Sequence, residues 1–347
     1  LIMFAISAIQ SILFLLVANL MLDIRGLWVE YWFALFTIAS FSNILGLNIS
    51  SAFNSAVTIY IMIPLLMIPQ MALGGAMFSF DKLNRAIGSA GRVPIVAEFM
   101  ATRWAYEGLM GLQFKDNKFE KQFYELEKEI SIADFKQVYY IPELMEYIDI
   151  CVEGVKSNND SIRENTRNDL ELLRNEIIKE LKRTPEIKFG FVNMITIDSF
   201  NNFVAYNTTD YFENLKKYYG IKFENANTRK EKTIDYYNEH APGVYEKLRS
   251  AYHNEAVQEI VKKIYEKKKI IRYKNRLIQQ VDPIYEEPEP SNMLESRTHF
   301  YAPHKHLFGI FFDTFWFNML IIWTMTIVLY ATLYYDLLKK SLNLFGK

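Results

Sequence analysis

Residues 1–22 read LIMFAISAIQSILFLLVANLML, a run without a charged side chain. A helix rises about 1.5 Å per residue, so a run of this length reaches across a hydrocarbon core of about 30 Å. Working outward, Leu1 to Phe80 carries only Asp23, Arg25 and Glu30 as charged side chains, whereas Lys115 to Arg297 is dense in lysine and glutamate. Averaged over 347 residues, 50% hydrophobic and 23% charged would suit an ordinary globular protein. The segregation of the two classes points instead to two solvents.

Three more apolar segments predict spans. Trp28 to Ile49 follows the turn Asp23-Ile24-Arg25-Gly26, with Trp28, Tyr31 and Trp32 placed as an interfacial aromatic belt. Val57 to Phe80 follows the polar stretch Asn48-Ile49-Ser50-Ser51 and ends at Asp81-Lys82, and Phe315 to Leu333 is followed by Asp336, Lys339 and Lys340. A signal peptide does not fit the first run, which lacks a basic n-region and a cleavage site and is followed at once by two further spans. Because the chain opens on Leu inside an apolar run, it is expected to be the C-terminal part of a longer polypeptide. Lys339, Lys340 and Lys347 place the C-terminus in the cytoplasm, so the charge-rich region is expected outside, the loop from Asn48 to Ala56 inside and the Asp23 turn outside, with Arg25 running against the rule. Gln10, Asn19, Asn43 and Gln70 within the spans favour a packed bundle over a passive anchor.

Between Phe114 and Pro290 the apolar spacing is helical: Leu170, Leu173, Ile177 and Leu181 form one stripe, with caps on offer at Asn159-Asp160-Ser161, and Val257, Ile260, Val261 and Ile264 continue the pattern. Pro185, Gly220 and Pro242-Gly243 are the expected breaks, and Glu186-Ile187-Lys188-Phe189 is the one modest strand signal. The basic run Lys262 to Arg276, with Glu255, Glu259 and Glu266 at helical pair spacing, reads as a solvated helix face rather than a nucleic-acid site. Glu286 to Pro290 reads as a stiff linker. Cys151 stands alone, so no internal disulfide is available, and from outside it is expected to react with a thiol reagent. His299, His304 and His306 precede the last span without a carboxylate or thiolate set at ligand spacing, so no metal is expected.

The most informative residues are Ile68-Pro69-Gln70-Met71-Ala72-Leu73-Gly74-Gly75-Ala76-Met77-Phe78-Ser79-Phe80-Asp81-Lys82-Leu83, followed by Val93 to Leu109, with Pro94, Arg103, Trp104 and Glu107. Prolines and glycines here loosen a membrane helix, tolerated where protein or a cavity re-satisfies the backbone. The segment Pro94 to Leu109 is too short and too polar to span, and is expected to lie re-entrant or interfacial. Together these resemble the permease of G-subfamily ABC exporters, the white and pleiotropic-drug-resistance type, over Leu1 to about Leu112 and Phe308 to Leu338. The resemblance makes the spans the third to sixth of that fold and the Pro94, Arg103, Trp104, Glu107 segment its re-entrant hairpin. It places Ile68 and Met71 along the substrate pathway and Ala76 and Met77 at the external plug, although Ala76 is smaller than the family's usual residue. The large region between the hairpin and the last span departs from the family, whose members usually carry a short loop there, and implies the insert-bearing bacterial form.

The expected fold is therefore mainly α: a polytopic membrane bundle of the type-II ABC exporter permease kind with a large, mostly helical extracytoplasmic insert. Residues 1–112 would form membrane helices and hairpin, 113–296 the external domain, and 297–347 an interfacial segment, last helix and cytoplasmic tail. No Gly-x-x-x-x-Gly-Lys-Ser/Thr occurs and no nucleophile-base set is found, so the chain is not expected to be an enzyme. ATP and Mg are expected at a nucleotide-binding domain upstream or on a partner, with a homodimer and membrane lipid as further partners and the cytoplasmic (inner) membrane as the location. The alternative is a membrane-held scaffold or sensor whose external domain binds a partner.

Overall fold

The computed structural model describes every residue except Leu1, Asp23, Asp81, Lys82, 84–90, Ser291, Gly346 and Lys347. In chain order its helices are α1 (Ile2–Leu22), α2 (Trp28–Ala52), α3 (Ala56–Ala72), α4 (Ile95–Glu98), α5 (Ala101–Lys115), α6 (Glu120–Phe135), α7 (Ile141–Val155), α8 (Asp160–Arg183), α9 (Asn202–His240), α10 (Val244–Tyr252) and α11 (Glu255–Lys262). Two antiparallel hairpins follow, β1 (Ile270–Tyr273) with β2 (Arg276–Gln279) and β3 (His304–Leu307) with β4 (Ile310–Asp313), then α12 (Thr314–Tyr334) and α13 (Leu337–Phe345). The expected charges Asp23, Asp81, Lys82 and Lys347 lie outside the described residues.

The chain packs as two units, one of Leu1–Lys121, Glu246–Lys262 and Glu286–Lys347, the other of Gln122–Tyr245 and Lys263–Tyr285. Packing thus draws its boundaries away from 112 and 296, and returns α11 to the unit of the apolar helices.

In the first unit α1, α2 and α12 are long and apolar enough to cross a membrane. Polar side chains tie them together. Asn43 donates to the Ser7 hydroxyl at 2.6 Å, Trp323 donates to Thr37 at 3.1 Å, and buried Asn48 donates to the Leu329 carbonyl at 2.9 Å while accepting from Thr332. Asn48 therefore belongs to the packed end of α2, which runs on through Ala52, and the expected loop from Asn48 shrinks to 53–55.

The predicted span Val57 to Phe80 is corrected. α3 stops at Ala72 after 17 residues, about 25 Å of rise, so the apolar helix ends eight residues before Phe80. Its C-terminal end meets the N-terminal turn of α5: the Thr102 hydroxyl donates to the Gln70 carbonyl at 2.6 Å, and the Thr102 amide donates to the Gln70 side chain at 3.3 Å. Gly74 and Gly75 then turn the chain. Gly75 has φ +84°, and a Cβ there would collide with the Phe300 ring.

The second unit is built on α7, α8 and α9, whose Leu144, Ile148, Leu170, Leu173, Ile177, Phe212 and Leu215 are buried together. The stripe on α8 forms as its spacing predicts, and the Asn159 side chain caps the helix by accepting from the Ser161 and Ile162 amides. A single π-helical turn, Lys136–Tyr140, joins α6 to α7.

Three local expectations fail here. Gly220 does not break α9, which runs 39 residues without interruption; its bare Cα face accommodates Gln137 instead. Residues 186–189 form no strand, since Phe189 is used in ring contacts with Phe191 and Tyr211. The basic run leaves helix at Lys262 and becomes β1, turning through Lys274 at φ +54°.

Candidate functional site

Pro94 opens α4 as its N-cap, and a break at Phe99–Met100 sends the chain into α5. The expected re-entrant segment is thus two helices. α5 runs antiparallel to the start of α12, with Lys115 ion-paired to Asp313 at one end. Gly108 leaves room for Phe315 and Asn318, whose atoms lie 3.5 and 3.6 Å from where a Cβ would stand, and Asn318 donates to the Trp104 carbonyl at 2.9 Å.

Arg103 and Glu107, one turn apart on α5, face the same way and are removed from water. Arg103 is 1% exposed, and Glu107 and Lys305 are 0% exposed. Isolated charges do not survive such burial, so partners are required. Lys305 on β3 donates to Glu107 Oε1 at 2.7 Å and to the Thr298 hydroxyl at 2.6 Å, the Tyr301 amide adds a donor to Oε1 at 3.2 Å, and Asn318 of α12 donates to Oε2 at 3.0 Å. Arg103 Nη1 lies 3.3 Å from Glu98 and 3.5 Å from Glu107, and its guanidinium carbon stands 3.9 Å from the centroid of the Trp104 ring. One carboxylate therefore joins α5, the segment Thr298 to Lys305, and α12.

Burial by itself would raise the Glu107 carboxyl, but Arg103 and Lys305, with the hydrogen bonds from Lys305 and Asn318, hold it below the ordinary carboxylate range. Burial lowers the Lys305 ammonium, against the pull of Glu107. Glu98, at the rim, is raised by burial, which Arg103 and Lys305 offset in part. A carboxylate saturated by four donors and cations is no free base; the cluster acts as a brace. Among the described residues it is not saturated on the cationic side, where Arg103 Nε and Nη1 lack hydrogen-bond acceptors, and Asn318 Oδ1 lacks a donor.

The four expected pathway residues lie elsewhere. Ile68 and Met71 stand three positions apart on α3, which buries none of its residues, and Ala76 and Met77 are exposed in the turns after it. The structure brings Arg103, Trp104 and Glu107 together and keeps the pathway group on the surface. Glu98, Thr298, Lys305 and Asn318 were not anticipated; an Arg and a Glu at helical pair spacing in an otherwise apolar segment are a signal that such partners must exist. The histidines are engaged separately, His304 Nδ1 with Glu287 at 3.0 Å and His306 Nδ1 with the Glu295 carbonyl at 3.2 Å, and no metal-holding group occurs among the described residues.

No curated protein and no solved structure matches the chain. Residues 1–114, from α1 through all but the last residue of α5, match the family model described as ABC-2 type transporter, and it is this apolar part, with the buried Arg103 and Glu107, that carries the likeness to that membrane-domain family.

Proposed function

We propose that the chain is the transmembrane part of an ATP-driven ABC exporter of the G-subfamily kind, working as a homodimer in the cytoplasmic membrane with its charge-rich unit outside. The observation that carries this reading is the match of residues 1–114 to the ABC-2 type transporter family, coinciding with the stretch that folds as the apolar helices and their hairpin. The hydrogen-bonded contacts inside α1, α2 and α12 support a packed bundle over a passive anchor. ATP and Mg would bind a nucleotide-binding domain, upstream in the same polypeptide or on a partner, which would supply the hydrolysis.

An apolar or amphipathic substrate would pass between the α3 helices of two copies. α3 suits this role because its apolar side chains stand out from the chain: Ile68 is 64% and Met71 53% exposed. Methionine offers an adaptable, polarisable contact surface. Ala76 and Met77, beyond the end of α3, would form the external closure.

The test is ATP-driven clearance of a lipophilic fluorescent dye from vesicles carrying the chain with its ATP-hydrolysing partner, normalised to membrane abundance. Met71→Trp is expected to block clearance and Met77→Ala to make it leaky, both at normal abundance, because an exchange between apolar residues on a surface facing lipid or a cavity costs little insertion energy. Normal specific clearance in both removes α3 from the pathway.

A further inference from the structure

β4 exposes Ile310, Phe311 and Phe312 in succession, at 58%, 51% and 41%. Successive side chains of a strand point to opposite faces, so both faces of β4 present apolar groups. A strand at a protein–water boundary alternates apolar with polar side chains, and β4 does not. The tip continues the theme. Phe308 and Gly309 turn the hairpin with φ +52° and +82°, a geometry that favours Asn-Gly and is costly for an aromatic residue, yet the side chain placed there is a 66% exposed phenylalanine. The Phe308 amide donates to the Met293 carbonyl at 2.7 Å, which sets exposed Met293 and Leu294 beside the tip.

This surface is continuous with a span. β4 runs directly into α12, where Trp316 and Leu320 are exposed and Phe312 packs on Phe317 with ring centroids 6.2 Å apart. We propose that the β3–β4 hairpin is a lipid-contacting finger, its tip immersed in the interface of the bilayer that α12 crosses, with acyl chains as the occupant. The same two-stranded ribbon limits its depth, since the outer edges of β3 and β4 carry backbone groups that hydrocarbon cannot satisfy. The side chains enter the acyl boundary while the strands stay at headgroup level, as for other interfacial apolar elements. The proposal rests on α12 being a span.

The experiment places a nitroxide at Phe308→Cys, and separately at Ile310→Cys, in the full chain with Cys151→Ala, reconstituted in phosphatidylcholine vesicles. Power saturation then compares oxygen with a water-soluble nickel chelate. Ile327→Cys on the exposed side of α12 is the lipid reference and Asn158→Cys the aqueous one. Both hairpin labels are expected to favour oxygen severalfold over nickel relative to position 158, and to lie shallower than position 327. Values matching position 158 overturn the proposal, as does dipolar broadening between like labels, which would seat the tip on a second copy. A water-like reading at position 327 itself removes the span, and with it the bilayer the finger needs; that failure is distinct from a lipid-like 327 with aqueous 308 and 310.

Discussion

Among the described residues each unit buries a lysine–glutamate pair, and the two pairs are completed differently. In the second unit Lys136 donates to Glu180 at 2.6 Å and sits 3.4 Å from the Tyr140 ring centroid, Tyr219 donates to Glu180 at 2.8 Å, and Tyr140 donates to Glu176, which also accepts the Leu277 amide. Tyrosine hydroxyls finish the hydrogen bonding, and none of these side chains leaves a buried polar atom without a partner among the described residues. In the first unit Lys305 and Arg103 share Glu107, with Glu98 at the rim, and Arg103 keeps unused donors at Nε and Nη1. A closed network locks one core arrangement; an open one, resting on three separate segments, has unspent hydrogen-bonding capacity at the start of α12.

The largest effect expected from breaking the comparison is at Glu107. Glu107→Gln leaves two buried cations facing an amide, which removal of one buried partner makes costly by about 3–5 kcal/mol. The thermal midpoint of the detergent-purified chain should collapse, and adding Lys305→Met should restore part of it. An unchanged midpoint in the single variant would mean that the cluster is not ionised.

Lys136→Met should cost less, toward the low end of that range at about 3 kcal/mol, because Arg183 at 3.3 Å and Tyr219 remain on Glu180. Its signature is in the pH dependence. Burial, opposed by Glu180, lowers Lys136 to about 8, against an ordinary lysine near 10.4. Between those values the unfolded chain holds more protons than the folded one, so the lysine's contribution to stability grows as pH rises from 8 to 10. Denaturation midpoints measured at pH 8 and pH 10 should therefore show the native chain gaining on Lys136→Met; a constant difference would place the titration elsewhere.

The smallest effect expected is none. Cys151 is fully buried on α7, and burial pushes its thiol up to about 12, which corrects the expectation of labelling. A membrane-impermeant maleimide on intact cells should leave Cys151 unmodified and modify Asn158→Cys. Protection of position 158 would put the second unit on the other side of the membrane.

What was legible followed from local rules. The apolar runs of α1, α2 and α12 and the capped stripe of α8 each have a period or length that one segment can show. The Lys305 partnership was not legible because it links positions 198 apart in the chain. The two hairpins were missed because their turns announce themselves weakly: Lys274 and Phe308 occupy left-handed positions, and Asn275 and Gly309 follow them singly rather than in an Asn-Gly pair. α3 misled because its apolar composition continues past its end, while the end itself is fixed by Thr102 arriving from a later helix.

α3 also contains Pro64 and Pro69. Neither supplies an amide proton, so the carbonyls of Tyr60 and Leu65 lack their usual partners in the helical ladder. Collective helix motions run in microseconds to milliseconds, far behind the nanosecond hopping of exposed side chains. With two rungs missing, α3 is expected to bend more readily than its unbroken neighbours, on that slower timescale.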